Sequence, residues 1–184
     1  MILEIRKYGD PVLRTKGREV TPDEPQLKQL AADMLETMES ANGVGLAAQQ
    51  IGEAIQLTVI DIEDVEDRPS AMFIGDEEVD LQKYMPLILL NPKLQLSEEK
   101  ESGTEGCLSF PEMNAEINRA SGVRCKAQLL DGSTLEFDAA GLLARALQHE
   151  VDHLHGVLFI DRMSSAARAG LAGKLKRLQK EAKR

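Results

Sequence analysis

Apolar residues recur along this chain with two different periods, and the alternation between them outlines a fold. From about Asp23 to Ala41 the apolar positions are Leu27, Leu30, Ala31, Met34, Leu35 and Met38. Steps of three and one place them on one face of a helix. Thr21 with Glu24 has the form of a capping box, Pro25 permits a later start, and Asn42-Gly43 supplies the stop. Gln56 to Ile62 alternates around Leu57 and Val59, as a strand does. Pro86 to Leu96 is apolar and β-like, broken at Asn91-Pro92. Val123, Cys125, Ala127 and Leu129 alternate with Arg124, Lys126 and Gln128. Asp131-Gly132 and then Leu135 and Phe137 complete a hairpin with one buried face. Asp138 is placed to cap the next helix, which runs through Leu142, Leu143, Ala146 and Leu147 to Leu154, with Gly156 as its stop. A last helix starts at Ser164 or Ser165 and buries Leu171, Leu175 and Leu178. Tyr8 to Val20 carries turn signals and is expected to be irregular.

These elements predict an α+β fold: antiparallel β-sheets around a central helix, with an N-terminal and a C-terminal helix. Neither a repeat nor a linker divides the chain, so residues 1–184 are expected to form one domain. Composition changes the picture little, with 42% hydrophobic and 29% charged residues. No apolar run reaches the roughly 18 residues of a membrane span, so no membrane partner is expected. The opening Met1–Arg6 has neither a long apolar core nor a cleavage site, so no signal peptide is expected. A net charge of −9 argues against DNA as a partner. Two cysteines, Cys107 and Cys125, do not make a disulfide scaffold, and a reducing cytoplasm is the simplest setting. Charge is uneven: from Glu63 to Asp80 eight acids face one base, Arg68, which reads as a solvated loop of unassigned role. The last helix is basic through Lys174, Lys176, Arg177, Lys180, Lys183 and Arg184.

The predicted central helix carries the chemistry. It contains His149-Glu150-Val151-Asp152-His153, two of only three histidines in the chain. Histidines four apart lie one turn apart on one side of a helix and can grip one metal ion, while Glu150 is close enough to handle protons beside it. Two histidines rarely hold a catalytic metal alone. The downstream positions that complete zinc-peptidase sites offer Phe159 and, far along, only Glu181 in the basic helix. Upstream, Glu105-Gly106-Cys107-Leu108-Ser109 offers a thiolate, although a lone cysteine can equally be structural. Cys125, in its apolar strand register, is read as structural, and His155 as a non-ligand. Gly43-Val44-Gly45-Leu46-Ala47-Ala48-Gln49-Gln50 permits close backbone approach followed by amide donors; alone it is also simply a turn after a helix. A metallopeptidase and a protein with a purely structural metal are the alternatives.

Taken together, the segments Gly43–Gln50, Glu105–Ser109 and His149–Gly156 resemble, in order, the G-x-G-L-A-A-x-Q, E-G-C-L-S and H-E-x-D-H-L-x-G motifs of bacterial peptide deformylases. The resemblance extends to Tyr8–Arg14 and Leu158-Phe159 and so spans nearly the whole chain. It implies a metal-dependent amide hydrolase that removes the formyl group from N-formylmethionyl peptides of nascent chains, releasing formate. It implies Cys107, His149 and His153 as ligands of one divalent ion, Fe²⁺, with Ni²⁺, Co²⁺ or Zn²⁺ able to substitute. Glu150 is implied as the acid/base, with Gln50 and the Leu108 N–H stabilising the oxyanion. Substrate contacts are implied for Val44, Gly45, Glu105, Gly106, Leu142 and Ala146, and an Arg119–Glu105 pair is expected. Docking of the basic C-terminal helix on the ribosome is a further implication, although bases near a helix C-terminus equally serve to complement its dipole and keep it soluble. Glu112-Met113-Asn114 departs from the family pattern, as does the length of the acidic segment.

Overall fold

The computed structural model describes residues 1–184. Nine strands form a seven-stranded antiparallel sheet and a separate hairpin. In chain order they are β1 (Gly45–Ala47), β2 (Leu57–Ile60), β3 (Ser70–Ile74), β4 (Glu77–Val79), β5 (Leu87–Leu96), β6 (Lys100–Cys107), β7 (Phe110–Ala120), β8 (Gly122–Gln128) and β9 (Thr134–Gly141). The large sheet runs β1-β2-β5-β8-β9-β3-β4, and β6 pairs only with β7. Four helices accompany them: α1 (Leu27–Ser40), α2 (Leu142–Leu154), α3 (Ser165–Gly170) and α4 (Ala172–Ala182). Helix α2 touches β1, β2, β3, β5 and β9 of one sheet and β7 of the other, and so occupies the centre of the molecule.

Three apolar clusters hold the layers together. Leu143 and Leu147 of α2 pack with Ile60, Leu89, Cys125 and Phe137 against the large sheet. Met34 and Met38 of α1 meet Leu46, Leu57 and Leu90. Leu175 and Leu178 of α4 join Leu13, Phe110, Ile117 and Phe159. The Phe110 ring lies 5.0 Å from Tyr8 and 4.9 Å from Phe159, centroid to centroid.

Several sequence expectations are corrected. Asp138 does not cap α2; it lies within β9 and pairs with Arg124 at 2.9 Å. The first helical N–H groups are met instead from β3 and the residue before it: Leu142 N donates to Pro69 O at 3.0 Å and Leu143 N to Ser70 Oγ at 2.9 Å. The cap comes from 73 residues upstream, so no local pattern announces it. Gly141, at φ +70°, makes the turn, and a Cβ there would collide with the Pro69 carbonyl. The acidic segment is a loop only as far as Pro69; Ser70–Val79 forms the β3–β4 hairpin, with Met72 fully buried against β9. Strand β5 is not broken at Asn91 but bulged there, with φ +50° and a register shift against β8 between Leu90 and Lys93. The last helix is two helices interrupted at Leu171, between Gly170 and Gly173, both weak helix formers. Helix α1 starts late, at Leu27.

Leu147, fully buried between α2 and the sheet, sets an energetic test. Leu147→Ala is expected to lower unfolding free energy by about 2–5 kcal/mol, read as a shift in the guanidinium midpoint at unchanged slope. A shift equivalent to less than about 1 kcal/mol would mean that α2 is not packed as described.

Candidate metal centre

Helix α2 presents His149 and His153 one turn apart, their rings 5.0 Å between centroids. The hairpin brings Cys107 to them from the end of β6. Cys107 Sγ lies 3.4 Å from His153 Nε2, and one donor atom from each of the three residues falls within 4.8 Å of the others. No other grouping of His, Cys, Asp or Glu in the molecule converges in this way. The downstream alternatives are placed elsewhere: Phe159 is core, and Glu181 is exposed on α4. Cys125 is fully buried among apolar residues, which pushes its thiol up to about 12 and keeps it protonated. His155 is exposed and apart from the site.

The ring of His149 is oriented by Glu105, whose Oε1 accepts from Nδ1 at 2.9 Å; Nε2 is thereby left to face the other two donors. Glu105 is itself buried and clamped. Arg119 Nε and Nη2 donate to it at 2.6 and 2.9 Å, and Arg145 Nη1 at 2.8 Å. Burial opposes its charge, but the hydrogen bonds from His149 and Arg119 outweigh burial and hold the carboxyl at about 2. Arg119 also bonds Asp152 at 2.9 Å, and Arg162 bonds the other Asp152 oxygen at 2.9 Å. Burial lowers the proton affinity of His153 well below that of an ordinary histidine, so it stands as a neutral imidazole with a lone pair to give.

Glu150, next to His149, is buried, and its Oε2 has no partner. Burial pushes this carboxyl up to about 7, against the pull of neighbouring His149. Gly45 faces it so closely that a Cβ there would stand 2.5 Å from Oε1. Gln50 turns its amide inward: Oε1 accepts from Ala47 N at 2.9 Å, while Nε2 reaches Ser109 Oγ at 3.2 Å and Cys107 Sγ at 3.6 Å. Leu108 sits on the turn between β6 and β7.

These groups open onto a cleft of about 740 Å³ between β1, the hairpin and α2. Val44, Gly45, Gln50, Glu105, Gly106, Cys107, Leu108, Leu142, Ala146, His149 and Glu150 all line it, whereas His153 lies behind. Both oxygens of Glu105 are engaged within the protein, so its polar contacts serve His149 and not a bound peptide. The sequence reading missed Arg145, Lys7 and Arg68 in this lining. Arg145 had a visible signal, a lone charge in the otherwise apolar run Leu142–Leu147. Lys7, whose Nζ donates to Leu108 O at 3.0 Å, had none.

The donor set fits a divalent transition metal. A sulfur and two imidazole nitrogens converge, second-sphere hydrogen bonds orient one ring, and an unpartnered carboxyl stands adjacent. Three side chains able to hold an ion, with a carboxyl beside them, make the arrangement that a metal-dependent hydrolase requires. Comparison with known proteins agrees and is narrower. A family model described as polypeptide deformylase matches residues 2–169. The peptide deformylase of Methylacidiphilum infernorum is 41% identical over 180 residues, covering 98% of this chain and 94% of that protein. That of Dictyoglomus thermophilum is 44% identical over 162 residues, covering 88% and 93%. The crystal structure of peptide deformylase from Thermus thermophilus aligns with a TM-score of 0.81 at 39% identity, covering 98% of this chain and 99% of that one. The chain belongs to the polypeptide deformylase family, metal-dependent hydrolases that remove the N-formyl group from nascent peptides.

Orientation of His149 by Glu105 has a measurable consequence. Glu105→Gln keeps the shape of the clamp but removes its charge, and dialysis against a chelator should show metal affinity reduced about 10–100-fold. Wild-type retention would remove Glu105 from that role. In the same native protein Cys125 should resist alkylation at pH 8, detectable by mass.

Proposed function

We propose that Cys107, His149 and His153 hold the catalytic ion and that Glu150, Gln50 and Leu108 act around it on the formyl group of an N-formylmethionyl peptide. One observation carries this assignment: three soft or borderline donors within 4.8 Å of one another, beside a buried carboxyl with a free oxygen. The ion supplies Lewis acidity, acidifying water and polarising a carbonyl oxygen. Fe²⁺ is the physiological ion of this reading, with Ni²⁺, Co²⁺ and Zn²⁺ able to substitute; one thiolate and two imidazoles suit each of them.

The protein's own groups then have distinct tasks. Glu150 Oε2 takes a proton from the attacking water and delivers it to the departing nitrogen. A carboxyl pushed up to about 7 is suited to both transfers near neutrality. Gln50 Nε2, already aimed at Cys107, and the Leu108 N–H donate to the formyl oxygen as negative charge develops there. Gly45 leaves room for the Glu150 carboxyl, which a Cβ at that position would strike. Val44, Leu142 and Ala146 supply the apolar wall for the methionine side chain, while Gly106 admits the peptide backbone close to β6.

Newly made polypeptides are the substrates, and the cytoplasm is the compartment this reading assigns. No helix is long and apolar enough to cross a membrane. Lys174, Lys176, Arg177 and Lys180 are exposed on α4 while Leu175 and Leu178 are core, which supports docking of this helix on the ribosome through its basic face. Truncating α4 would remove core leucines, so charge reversal at Lys176, Arg177 and Lys180 is the cleaner test. Reduced ribosome co-sedimentation with unchanged formate release is expected, and undiminished co-sedimentation would reject docking.

Formate release from formyl-Met-Ala-Ser by anaerobically prepared enzyme tests the catalytic roles. Glu150→Gln should keep its ion and lose turnover, whereas Gln50→Ala should lose about 10²–10³ in kcat with the ion retained. A wild-type rate in either variant would overturn that residue's assignment.

A further inference from the structure

Gln50 and Leu108 reach the cleft from different sheets. Gln50 lies on the single helical turn Ala48–Ile51 after β1, at the edge of the large sheet. Leu108 lies on the turn of the β6–β7 hairpin, which pairs with no strand of that sheet. Two donors aimed at one oxygen must each be held to within about 0.5 Å, so one sheet has to be fixed against the other at this end of the cleft. The Gln50 side chain does part of this, through Ser109 Oγ at 3.2 Å. The rest comes from the irregular segment near the N-terminus.

Arg6, Lys7 and Tyr8 run along the seam. Arg6 N donates to Gln50 O at 2.6 Å on one side, and Tyr8 N donates to Ser109 O at 3.0 Å on the other. Between them Lys7 Nζ donates to Leu108 O at 3.0 Å. Both carbonyls at the tip of the hairpin turn are therefore taken by this one segment. With Cys107 paired to Phe110 across the turn, fixing those two carbonyls leaves the Leu108 N–H little freedom. The segment is itself anchored. The Tyr8 ring stacks on Phe110, and Gly9, at φ +109°, lies so close to α4 that a Cβ there would stand 2.9 Å from Gln179 Cα.

Any residue could supply the two backbone donors, whereas the middle contact belongs to the Lys7 side chain alone. Lys7 is half-buried and lines the cleft with Gln50 and Leu108. It forms no ion pair, and the Leu108 carbonyl is its one hydrogen-bond partner. Its ammonium has given up water for that contact, and a charged donor holds a carbonyl more strongly than a neutral one. We propose, on the reading of Gln50 and Leu108 as oxyanion donors, that Lys7 is a positioning residue for deformylation: its ammonium locks the β6–β7 turn so that the Leu108 N–H stands in register with the Gln50 amide. Such a residue acts on kcat, because the donors it aligns are called on only as charge develops on the formyl oxygen.

Lys7→Met keeps the stem and removes the ammonium. In the ion-loaded enzyme kcat for formyl-Met-Ala-Ser should fall about tenfold or more, while KM stays within about twofold and the ion content is unchanged. Amide hydrogen exchange across residues 107–110 should quicken about tenfold, a readout independent of turnover. Wild-type kcat, wild-type exchange across the turn, or a rate loss that follows loss of the ion would each overturn the proposal. So would a raised KM at full kcat, which would make Lys7 a contact for the peptide instead. Gln50→Ala measured alongside separates the two layers. If it is slow while Lys7→Met is not, the positioning role alone fails; if it turns over at the wild-type rate, the donor reading fails and the positioning role falls with it.

Discussion

The buried carboxylate of Glu105 ties the two halves of this enzyme together. It comes from the β6–β7 hairpin, which shares no strand pairing with the large sheet, and it meets His149 and Arg145 of α2 and Arg119 of β7. Two guanidinium groups and one imidazole converge on its two oxygens. Removing one partner from such a buried cluster typically costs about 3–5 kcal/mol, because a charge is left uncompensated. Here the cluster also aligns Cys107, two residues further along the same strand, with the histidines of the helix. The convergence of these three side chains and the docking of the hairpin therefore rest on the same hydrogen bonds. Through Asp152 the chain of charges continues to Arg162 at the surface.

Around that clamp, α2 divides its circumference. Leu143 and Leu147 face the sheet, and His149, Glu150, Ala146 and Leu142 face the cleft beside β1 and the hairpin. Asp152 turns to another side, toward Arg119 and Arg162. The central position of the helix lets it do this: strands of both sheets surround it, so its backbone is held while its side chains serve different compartments. The proximity of Gly45 to Glu150 adds a second constraint. A larger residue there would collide with the carboxyl, so β1 must be bare at that one position.

Much of this was legible in the sequence. The helical repeat in α1, the hairpin of β8 and β9, and the span of α2 follow from periodicity because each buries one regular face. The convergence of Cys107, His149 and His153 was legible because the ordered motifs named all three; spacing alone paired the two histidines and left Cys107 open. The failures have a common origin in long-range contacts. The α2 cap is supplied by the distant Pro69 and Ser70, so Asp138 looked like a better candidate than it is. Strand β6 is largely exposed and polar, without the alternation that reveals a half-buried strand, and the hairpin it makes with β7 went unread. In the acidic segment, charge obscured the short run Ala71–Ile74, which the burial of Met72 turns into a strand. The partners of Arg145 lie 28 and more residues upstream, beyond any local pattern.

X-ray absorption at the metal edge of the anaerobically purified protein examines the central claim most directly. The account predicts a first shell containing one sulfur at about 2.3 Å and two nitrogens at about 2.0–2.1 Å for the zinc-loaded form, with the sulfur lost in Cys107→Ser. A shell of light atoms alone in the wild-type protein, or a sulfur that survives that substitution, would contradict it.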